Sequence, residues 1–98
     1  MARITWTQEA ADWLESIYNY IAEDNVHAAG KVVSGIYEKA QVLADYPQLG
    51  YIYRKHQGGT IRILVYGHYR IAYLHQDKEV TILGVFHGAM HIERYLPS

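Results

Sequence analysis

The sequence has no cysteine, two prolines and one phenylalanine among its 98 residues. The lack of cysteine excludes disulfides and thiolate metal sites, which fits a reducing compartment. No stretch approaches the roughly 20 apolar residues of a membrane-spanning helix, and the first residues lack the apolar run of a signal peptide. We therefore expect a cytoplasmic protein without a membrane partner.

Positive charge is also scarce, since nine Lys and Arg against ten Asp and Glu leave a net charge of −1. A protein that binds a nucleic-acid backbone usually carries a basic surplus, because phosphate contacts supply much of the affinity. The composition therefore argues against an extended nucleic-acid interface and leaves open a local basic patch.

Apolar and aromatic residues are plentiful: half of the chain is hydrophobic, and ten residues are Tyr. This length and composition predict a single folded domain over residues 1–98. A chain of this size buries only about 60–65% of the surface of its unfolded form, so the core is small. Many Tyr side chains must then lie at the rim of the core or at an interface.

The first half of the chain has the pattern of a strand followed by two helices. Residues 4–6 alternate between apolar and polar and predict a short strand. Thr7 can cap a helix whose apolar residues recur at helical spacing over residues 10–21. Asp24-Asn25 interrupts this helix and can cap a second, whose apolar stripe covers residues 29–43. Two helices with so short a connection are expected to pack as an antiparallel hairpin.

From Tyr51 onward the pattern changes to strands. Three segments are rich in β-branched and aromatic residues: Ile61–Tyr66, Tyr69–His75 and Glu79–His87. Gly67-His68 and Asp77-Lys78 fit tight turns between them, which predicts three antiparallel strands. The expected pairs are Val65–Arg70, Ile63–Ala72, Ala72–Leu83, Arg70–Val85 and His68–His87.

These pairs divide the side chains between two faces of the sheet. One face would carry Leu64, Tyr66, Tyr69, Ile71, Tyr73, Ile82 and Phe86. The other would carry Ile61, Ile63, Val65, Ala72, Leu74, Leu83 and Val85, with Arg70 and His87 among them. Both faces are apolar, and two helices cover only one. The second face is therefore expected to need the C-terminal residues, a partner, or both.

Specific residues distributed along nearly the whole chain, in this order and spacing, resemble the ParE/RelE toxin superfamily. They are Trp6, Ala10-Ala11-Asp12-Trp13-Leu14, Ile17, Tyr20-Ile21-Ala22, Asp24, Ala28-Ala29, Leu43, Pro47, Gly50, Arg62, Tyr69-Arg70-Ile71-Ala72-Tyr73, Val80–Val85 and His87-Gly88-Ala89. The resemblance implies an α+β fold of the order β-α-α-β-β-β, with an antiparallel sheet, a helical hairpin on one face and a short C-terminal helical segment.

The end of the chain resembles ParE more than RelE. ParE-type chains commonly end in His-Gly-Ala-Arg-Asp before a short helix, and this chain has His87-Gly88-Ala89 followed by Met90 and His91. The position after His87, where RelE-type enzymes can carry a catalytic arginine, is Gly88. The resemblance thus implies the toxin of a type II toxin–antitoxin, or plasmid stabilisation, system. Such a toxin would bind and inhibit DNA gyrase without catalysis, and a ParD-like antitoxin would neutralise it in a hetero-oligomer.

The expected partner-binding residues follow from this resemblance. They are Arg62, Arg70, His87, Met90, His91, Arg94 and Tyr95, on the exposed sheet face and in the last ten residues. No cofactor or metal is implied. His87 and His91 are four residues apart, but two imidazoles do not make a zinc site, and Glu93 or His68 would have to join them.

Two alternatives remain. A RelE-type ribosome-dependent mRNA endonuclease would use Arg70, His87, His91 and Tyr95 as base, acid and cation at the scissile phosphate, with Arg62 as a phosphate contact. The replaced Arg-Asp pair instead favours a non-toxic module that retains only antitoxin binding. In place of catalysis, Arg70 could pair with a carboxylate on the apolar face, and His87 could be a hydrogen-bonded histidine at a strand end.

Overall fold

The computed structural model describes residues 1–97, over which the chain forms two helices and five strands. In chain order these are β1 (Arg3–Trp6), α1 (Gln8–Ala22), α2 (Val26–Gln41), β2 (Tyr51–His56), β3 (Gly59–Tyr66), β4 (Tyr69–Gln76) and β5 (Glu79–His87). Single turns of 3-10 helix follow α2 at Val42–Ala44 and β5 at Ile92–Arg94. The α+β class, the helical hairpin and the short C-terminal helical turn are confirmed.

Both helices begin at the residues that the sequence indicated. The Thr7 hydroxyl accepts a hydrogen bond from the Ala10 amide at 3.1 Å and donates one to the Ile82 carbonyl at 2.9 Å. The Asn25 side chain accepts from the Ala28 amide at 2.9 Å. Each cap satisfies an amide that the first helical turn leaves without a partner. Thr7 also ties the start of α1 to β5.

The sheet has the strand order β1-β5-β4-β3-β2. Strands β2 to β5 form an antiparallel meander, and β1 pairs with β5 in parallel, so the sheet is mixed. Strand β2 lies at one edge and contains a register shift between Ile52 and Arg54. The sequence indicated strand character from Tyr51 onward but did not identify β2 as a separate strand.

The β4–β5 pairing contains a bulge at Leu83. The pair Ile63–Ala72 in β3–β4 is as expected, and so is Val65–Arg70. Between β4 and β5, however, Tyr73 pairs with Ile82 while Ala72 pairs with Gly84, so Leu83 has no partner. The expected pairs Ala72–Leu83, Arg70–Val85 and His68–His87 are therefore wrong, and the observed pairs are Ala72–Gly84, Arg70–Phe86 and Tyr69–His87.

The bulge exchanges the faces of Val85 and Phe86, because one extra residue reverses the alternation beyond it. The helical face, defined by Leu64, Ile71, Tyr73, Val80, Ile82 and Val85, packs with Ala10, Ile36, Ala40 and Leu43. The opposite face is here named the C-terminal face. It consists of Ile61, Ile63, Ala72 and Phe86 and packs with Ile92 and Leu96.

The C-terminal face is covered by the chain itself. Residues 88–97, here named the C-terminal segment, cross this face after β5. They place Ile92 and Leu96 on it, with exposed fractions of only 2% and 7%. The expectation that this face needs the C-terminal residues is met, and the expected open apolar surface is reduced to its rim. Val65, 54% exposed, lies at that rim.

Candidate functional site

The C-terminal segment has little regular structure of its own. Its backbone hydrogen bonds are mostly local: Met90 N donates to His87 O, Arg94 N to His91 O, and Tyr95 N to Ile92 O. One longer-range backbone bond, from Gly88 N to His68 O at 2.8 Å, joins the start of the segment to the β3–β4 turn. Side chains must therefore supply most of what fixes the segment to the sheet.

Two arginines of the sheet bind the two ends of this segment. Arg70 on β4 donates from Nη2 to Met90 O at 2.8 Å and to Gly88 O at 3.2 Å. Arg54 on β2 donates from Nη2 to Leu96 O at 3.3 Å and also to Pro97 O. Arg70 therefore pairs with backbone carbonyls and not with a carboxylate.

An aromatic cluster around Tyr95 holds the segment close to the end that Arg54 binds. The Tyr95 ring stacks on Phe86 with 5.6 Å between centroids and meets the edge of Trp13 at 5.2 Å. Trp13, from α1, also contacts Phe86 at 5.0 Å. Tyr95 nevertheless remains half exposed, and His91 and Arg94 beside it are exposed. The segment therefore presents these three side chains outward from an anchored backbone.

His87 does not lie on the face of Arg70. Because Arg70 pairs with Phe86, and side chains alternate along β5, His87 belongs to the helical side of the sheet. It contacts the edge of Tyr69 at 6.0 Å and stacks on His68 at 6.4 Å between centroids. Its Nδ1 accepts a hydrogen bond from the Ala89 amide at 3.3 Å. The expectation that Arg70 and His87 share a face is wrong, and the bulge at Leu83 is the reason.

Arg62 also lies on the helical side, since it pairs with Tyr73 across β3 and β4. Its Nη1 donates to Gly50 O at 2.7 Å and to Gln48 O at 3.0 Å, which holds the loop before β2. Of the seven expected partner-binding residues, Arg70, Met90, His91, Arg94 and Tyr95 come together around the C-terminal segment. Arg62 and His87 do not join them on that face.

A groove of about 550 Å³ lies between α1, the ends of β4 and β5, and the start of the C-terminal segment. Its walls are mostly apolar and aromatic, from Trp13, Ser16, Ile17, Tyr20, Tyr69, Val85, His87 and Met90. Two expected site residues, His87 and Met90, thus line this groove. The sequence indicated neither the groove nor Arg54, because both depend on contacts between residues far apart in the chain.

Charge is distributed unevenly over the molecule despite the small net value. Residues 7–24 carry five carboxylates and no Lys or Arg, and all five are exposed. Residues 46–76 carry three Arg, one Lys and three His and no carboxylate. The sheet half of the protein is therefore basic and α1 is acidic, which the net charge alone hides.

Neither a metal site nor a membrane span emerges from residues 1–97. This part of the chain holds no group of three or more His, Cys, Asp or Glu side chains that could bind a metal ion. His91 Nδ1 lies 3.6 Å from Glu93 Oε1, whereas His68 and His87 contact each other. None of the helices over the same residues is both long and apolar enough to cross a bilayer.

The family model of the ParE toxin of type II toxin–antitoxin systems (parDE) matches residues 4–92. The chain belongs to the ParE toxin family. The match begins in β1 and ends at Ile92, so it includes the helical hairpin, the whole sheet and the start of the C-terminal segment.

Solved structures agree with this membership. A chain of the chromosomal ParDE system from P. aeruginosa has a TM-score of 0.72 and 26% identity, covering 89% of this chain and 96% of that one. A chain of the RelBE2 toxin–antitoxin complex from Mycobacterium tuberculosis has a TM-score of 0.64 and 22% identity, with coverage of 88% and 96%. The second similarity shows the fold alone. No curated protein sequence matches this chain.

Proposed function

We propose that this ParE-family toxin acts in the cytoplasm by binding and inhibiting DNA gyrase, and that a ParD-like antitoxin neutralises it. The binding surface would be the C-terminal segment with Arg70 beneath it, and the toxin itself would catalyse no reaction. Gyrase as the target, and a role in plasmid stabilisation, rest on the resemblance to ParE. The residues of the site support binding without naming the target.

The observation that carries the proposal is the anchored C-terminal segment. Ile92 and Leu96 are buried, both ends are bound by arginines, and His91, Arg94 and Tyr95 face solvent. A surface held in one conformation before binding loses less entropy when it binds. Exposed aromatic and Arg side chains on such a surface are typical of interface hot spots.

The same geometry disfavours the mRNA endonuclease. General acid–base cleavage needs its base, acid and cation around one phosphate. Arg70 and His87 lie on opposite sides of the sheet, and the Arg70 guanidinium already donates to two carbonyls. RNA cleavage would therefore require these groups to move together around one phosphate.

The groove beside α1 supports a place for the antitoxin. A disordered tail that folds as it binds can insert apolar side chains into such a groove, with Trp13, Tyr20 and Met90 as its walls. A toxin–antitoxin hetero-oligomer follows from this proposal. The similar chain from P. aeruginosa comes from a ParDE toxin–antitoxin system, which supports this place for a partner.

The target is tested by a supercoiling assay with purified gyrase, run beside a ribosome-programmed mRNA cleavage assay. The wild-type protein should inhibit supercoiling and leave the message intact. The variant His91→Ala/Arg94→Ala should weaken inhibition by about tenfold or more, since each hot-spot side chain is typically worth more than about 1 kcal/mol. The matched control His27→Ala/Lys31→Ala also removes one His and one basic side chain, from the exposed face of α2, and should inhibit like wild type.

Message cleavage by the wild type that disappears in Arg70→Ala would replace the gyrase proposal with the endonuclease. Expression of the chain alone in a bacterial host completes the test. Growth arrest that a co-expressed antitoxin relieves supports a toxin. Unimpaired growth with folded protein would instead identify a module that has lost toxicity.

A further inference from the structure

The C-terminal segment is fixed to the sheet by a pair of arginines on the same face. Arg54 pairs with Ile61, and Arg70 pairs with Phe86, and both partners belong to the C-terminal face. Strands β2 and β4 flank β3, so the two guanidinium groups lie on either side of β3. Arg70 binds the first residues of the segment, and Arg54 binds the last described ones.

Neither guanidinium is neutralised by a carboxylate of residues 1–97. In residues 1–97, the two ion pairs are Arg3–Glu79 and His91–Glu93, and residues 46–76 contain no Asp or Glu at all. The acceptors are backbone carbonyls, and hydrogen bonds from a charged donor are roughly twice as strong as neutral ones. The Nε atoms of both arginines are buried without a partner, so the Nη2 bonds carry the interaction.

We infer that Arg54 and Arg70 are positioning residues that clamp the two ends of the C-terminal segment and thereby hold its exposed side chains in the conformation that binds the target. The effect on target binding rests on the proposed function, whereas the clamp itself does not. Arg54 has no place in the expected site, and it reaches the segment from 42 positions away in sequence. Without the clamp, the segment would retain the Gly88–His68 backbone bond and the buried side chains of Ile92 and Leu96 as anchors, but the carbonyls at its two ends would lose their charged donors.

The experiment measures amide hydrogen exchange in the full chain for Arg54→Met, Arg54→Lys and the control Lys55→Met. Methionine keeps an apolar side chain of similar length and removes the charge and the donors. Lys55 is the exposed neighbour of Arg54 on the same strand. We expect exchange at Arg94 and Tyr95, whose amides bond within the segment, to accelerate by about tenfold in Arg54→Met, because local opening sets the exchange rate.

Amides of β4 should stay unchanged in every variant, which separates a loosened segment from global unfolding. Arg54→Lys retains a charged donor and should restore part of the protection. Arg70→Met, compared with Arg70→Lys, should show the same effect at Met90. Unchanged amide exchange in both methionine variants would contradict the proposal that Arg54 and Arg70 hold the ends of the segment.

Gyrase supercoiling assays on the same proteins test whether the clamp affects target binding. Inhibition by Arg54→Met should weaken by at least about tenfold, since a mobile segment must be ordered on binding, and Arg54→Lys should recover part of the inhibition. Full inhibition by a variant with a loosened segment would overturn the positioning role and leave the proposed function intact. If the wild-type protein does not inhibit gyrase, the proposed function is rejected, and with it the effect of the clamp on gyrase binding. The hydrogen-exchange data would still show whether Arg54 and Arg70 hold the segment.

Discussion

Three half-buried arginines have the same kind of partner. Arg54, Arg62 and Arg70 all donate to backbone carbonyls of irregular segments, and each leaves a buried Nε without a partner. Each arginine donates both bonds from one terminal nitrogen, and this permanently charged donor can therefore bind two carbonyls of a loop that has no strand or helix partner. These arginines therefore give fixed positions to the loop before β2 and to the C-terminal segment.

Gly35 in α2 lies against the tip of Tyr66. A Cβ atom at this position would be 2.0 Å from Tyr66 Oη and 2.8 Å from Tyr66 Cζ, whereas a Cβ at Gly30 would meet nothing within 4 Å. Ala in place of a helical Gly stabilises by up to about 1 kcal/mol when there is space for it. Gly30→Ala should show this gain. Gly35→Ala should be less stable than Gly30→Ala by about 1–3 kcal/mol, because Tyr66 or α2 must shift.

Urea unfolding of the two variants measures this difference, since the midpoint moves with stability when the slope is unchanged. Gly35→Ala/Tyr66→Phe lacks the nearest atom and should recover part of the loss. Equal gains in both single variants would show that Tyr66 moves aside freely and that Gly35 has no packing role.

The Tyr73 hydroxyl is buried between β4 and the loop before β2. It accepts from Gly50 N at 2.9 Å and donates to Pro47 O at 2.8 Å. Burial raises its pKa above the ordinary value near 10, against the opposing effects of the Gly50 hydrogen bond and the Arg62 charge. Between the unfolded and folded pKa values the folded protein keeps a proton that the unfolded chain has lost. The stabilisation is therefore complete below about pH 10 and is lost as the pH rises further.

The free energy of unfolding of the wild type should accordingly fall above about pH 10, and Tyr73→Phe should lose the part of this slope that Tyr73 causes. At neutral pH this variant should be about 1–3 kcal/mol less stable, because the Gly50 amide loses its acceptor. Tyr46→Phe, at a side chain 64% exposed, is the control and should keep the wild-type slope. The same alkaline slope in Tyr73→Phe and wild type would contradict the assignment.

At the scale of elements, capping and periodicity identified both helices, whereas the sheet was only partly predictable. The β3–β4 register follows from the turn at Gly67-His68, since a two-residue turn fixes the pairing. The turn at Asp77-Lys78 fixes the β4–β5 register in the same way only as far as Tyr73–Ile82, beyond which the bulge shifts it. Residues 82–86 carry no polar side chain on either face, so no polar residue marks the point where Leu83 interrupts the alternation.

Strand β2 was hard to identify for a related reason. It is an edge strand with Arg54 and Lys55 in its second half and an irregularity after Ile52. Charges and bulges protect an edge strand from pairing with other chains, and they also break the alternating pattern by which a strand is recognised. The clamp that Arg54 forms was missed together with its strand.

The residues of the candidate site that are adjacent in sequence could be predicted. Those that tertiary contacts bring to the site could not. The resemblance located Met90, His91, Arg94 and Tyr95 because they are adjacent in sequence. Trp13 joins them only because α1 passes the edge of the C-terminal face, which no local pattern indicates. The role of the seven expected residues in binding a partner stays a prediction, and Ser98 lies outside the described residues.

At the scale of the whole molecule, the protein has two small cores on either side of one sheet. The core of the C-terminal face has six buried residues, and the C-terminal segment supplies two of them. The face expected to remain open for a partner is thus closed by the chain. An antitoxin would then have to use the groove beside α1, or displace the segment to reach the sheet.

How firmly the segment closes this face is measurable. Ile92→Ala and Leu96→Ala each remove a buried side chain, and such changes typically cost about 2–5 kcal/mol. Domains of this kind are stable by only about 5–15 kcal/mol, so the double variant should lose a large part of its stability and bind a hydrophobic dye at the uncovered face. The control Glu93→Ala/Arg94→Ala changes two exposed residues of the same turn and should stay within about 1 kcal/mol of wild type.

Urea unfolding and dye binding of the three proteins distinguish two arrangements of the antitoxin complex. A large loss of stability means that the segment is an integral part of the fold, and that an antitoxin must bind around it. If the Ile92→Ala/Leu96→Ala variant keeps wild-type stability and binds no dye, the segment contributes little to the core. The C-terminal face would then be available to a partner at small energetic cost, and the proposed binding surface would no longer be a preorganised one.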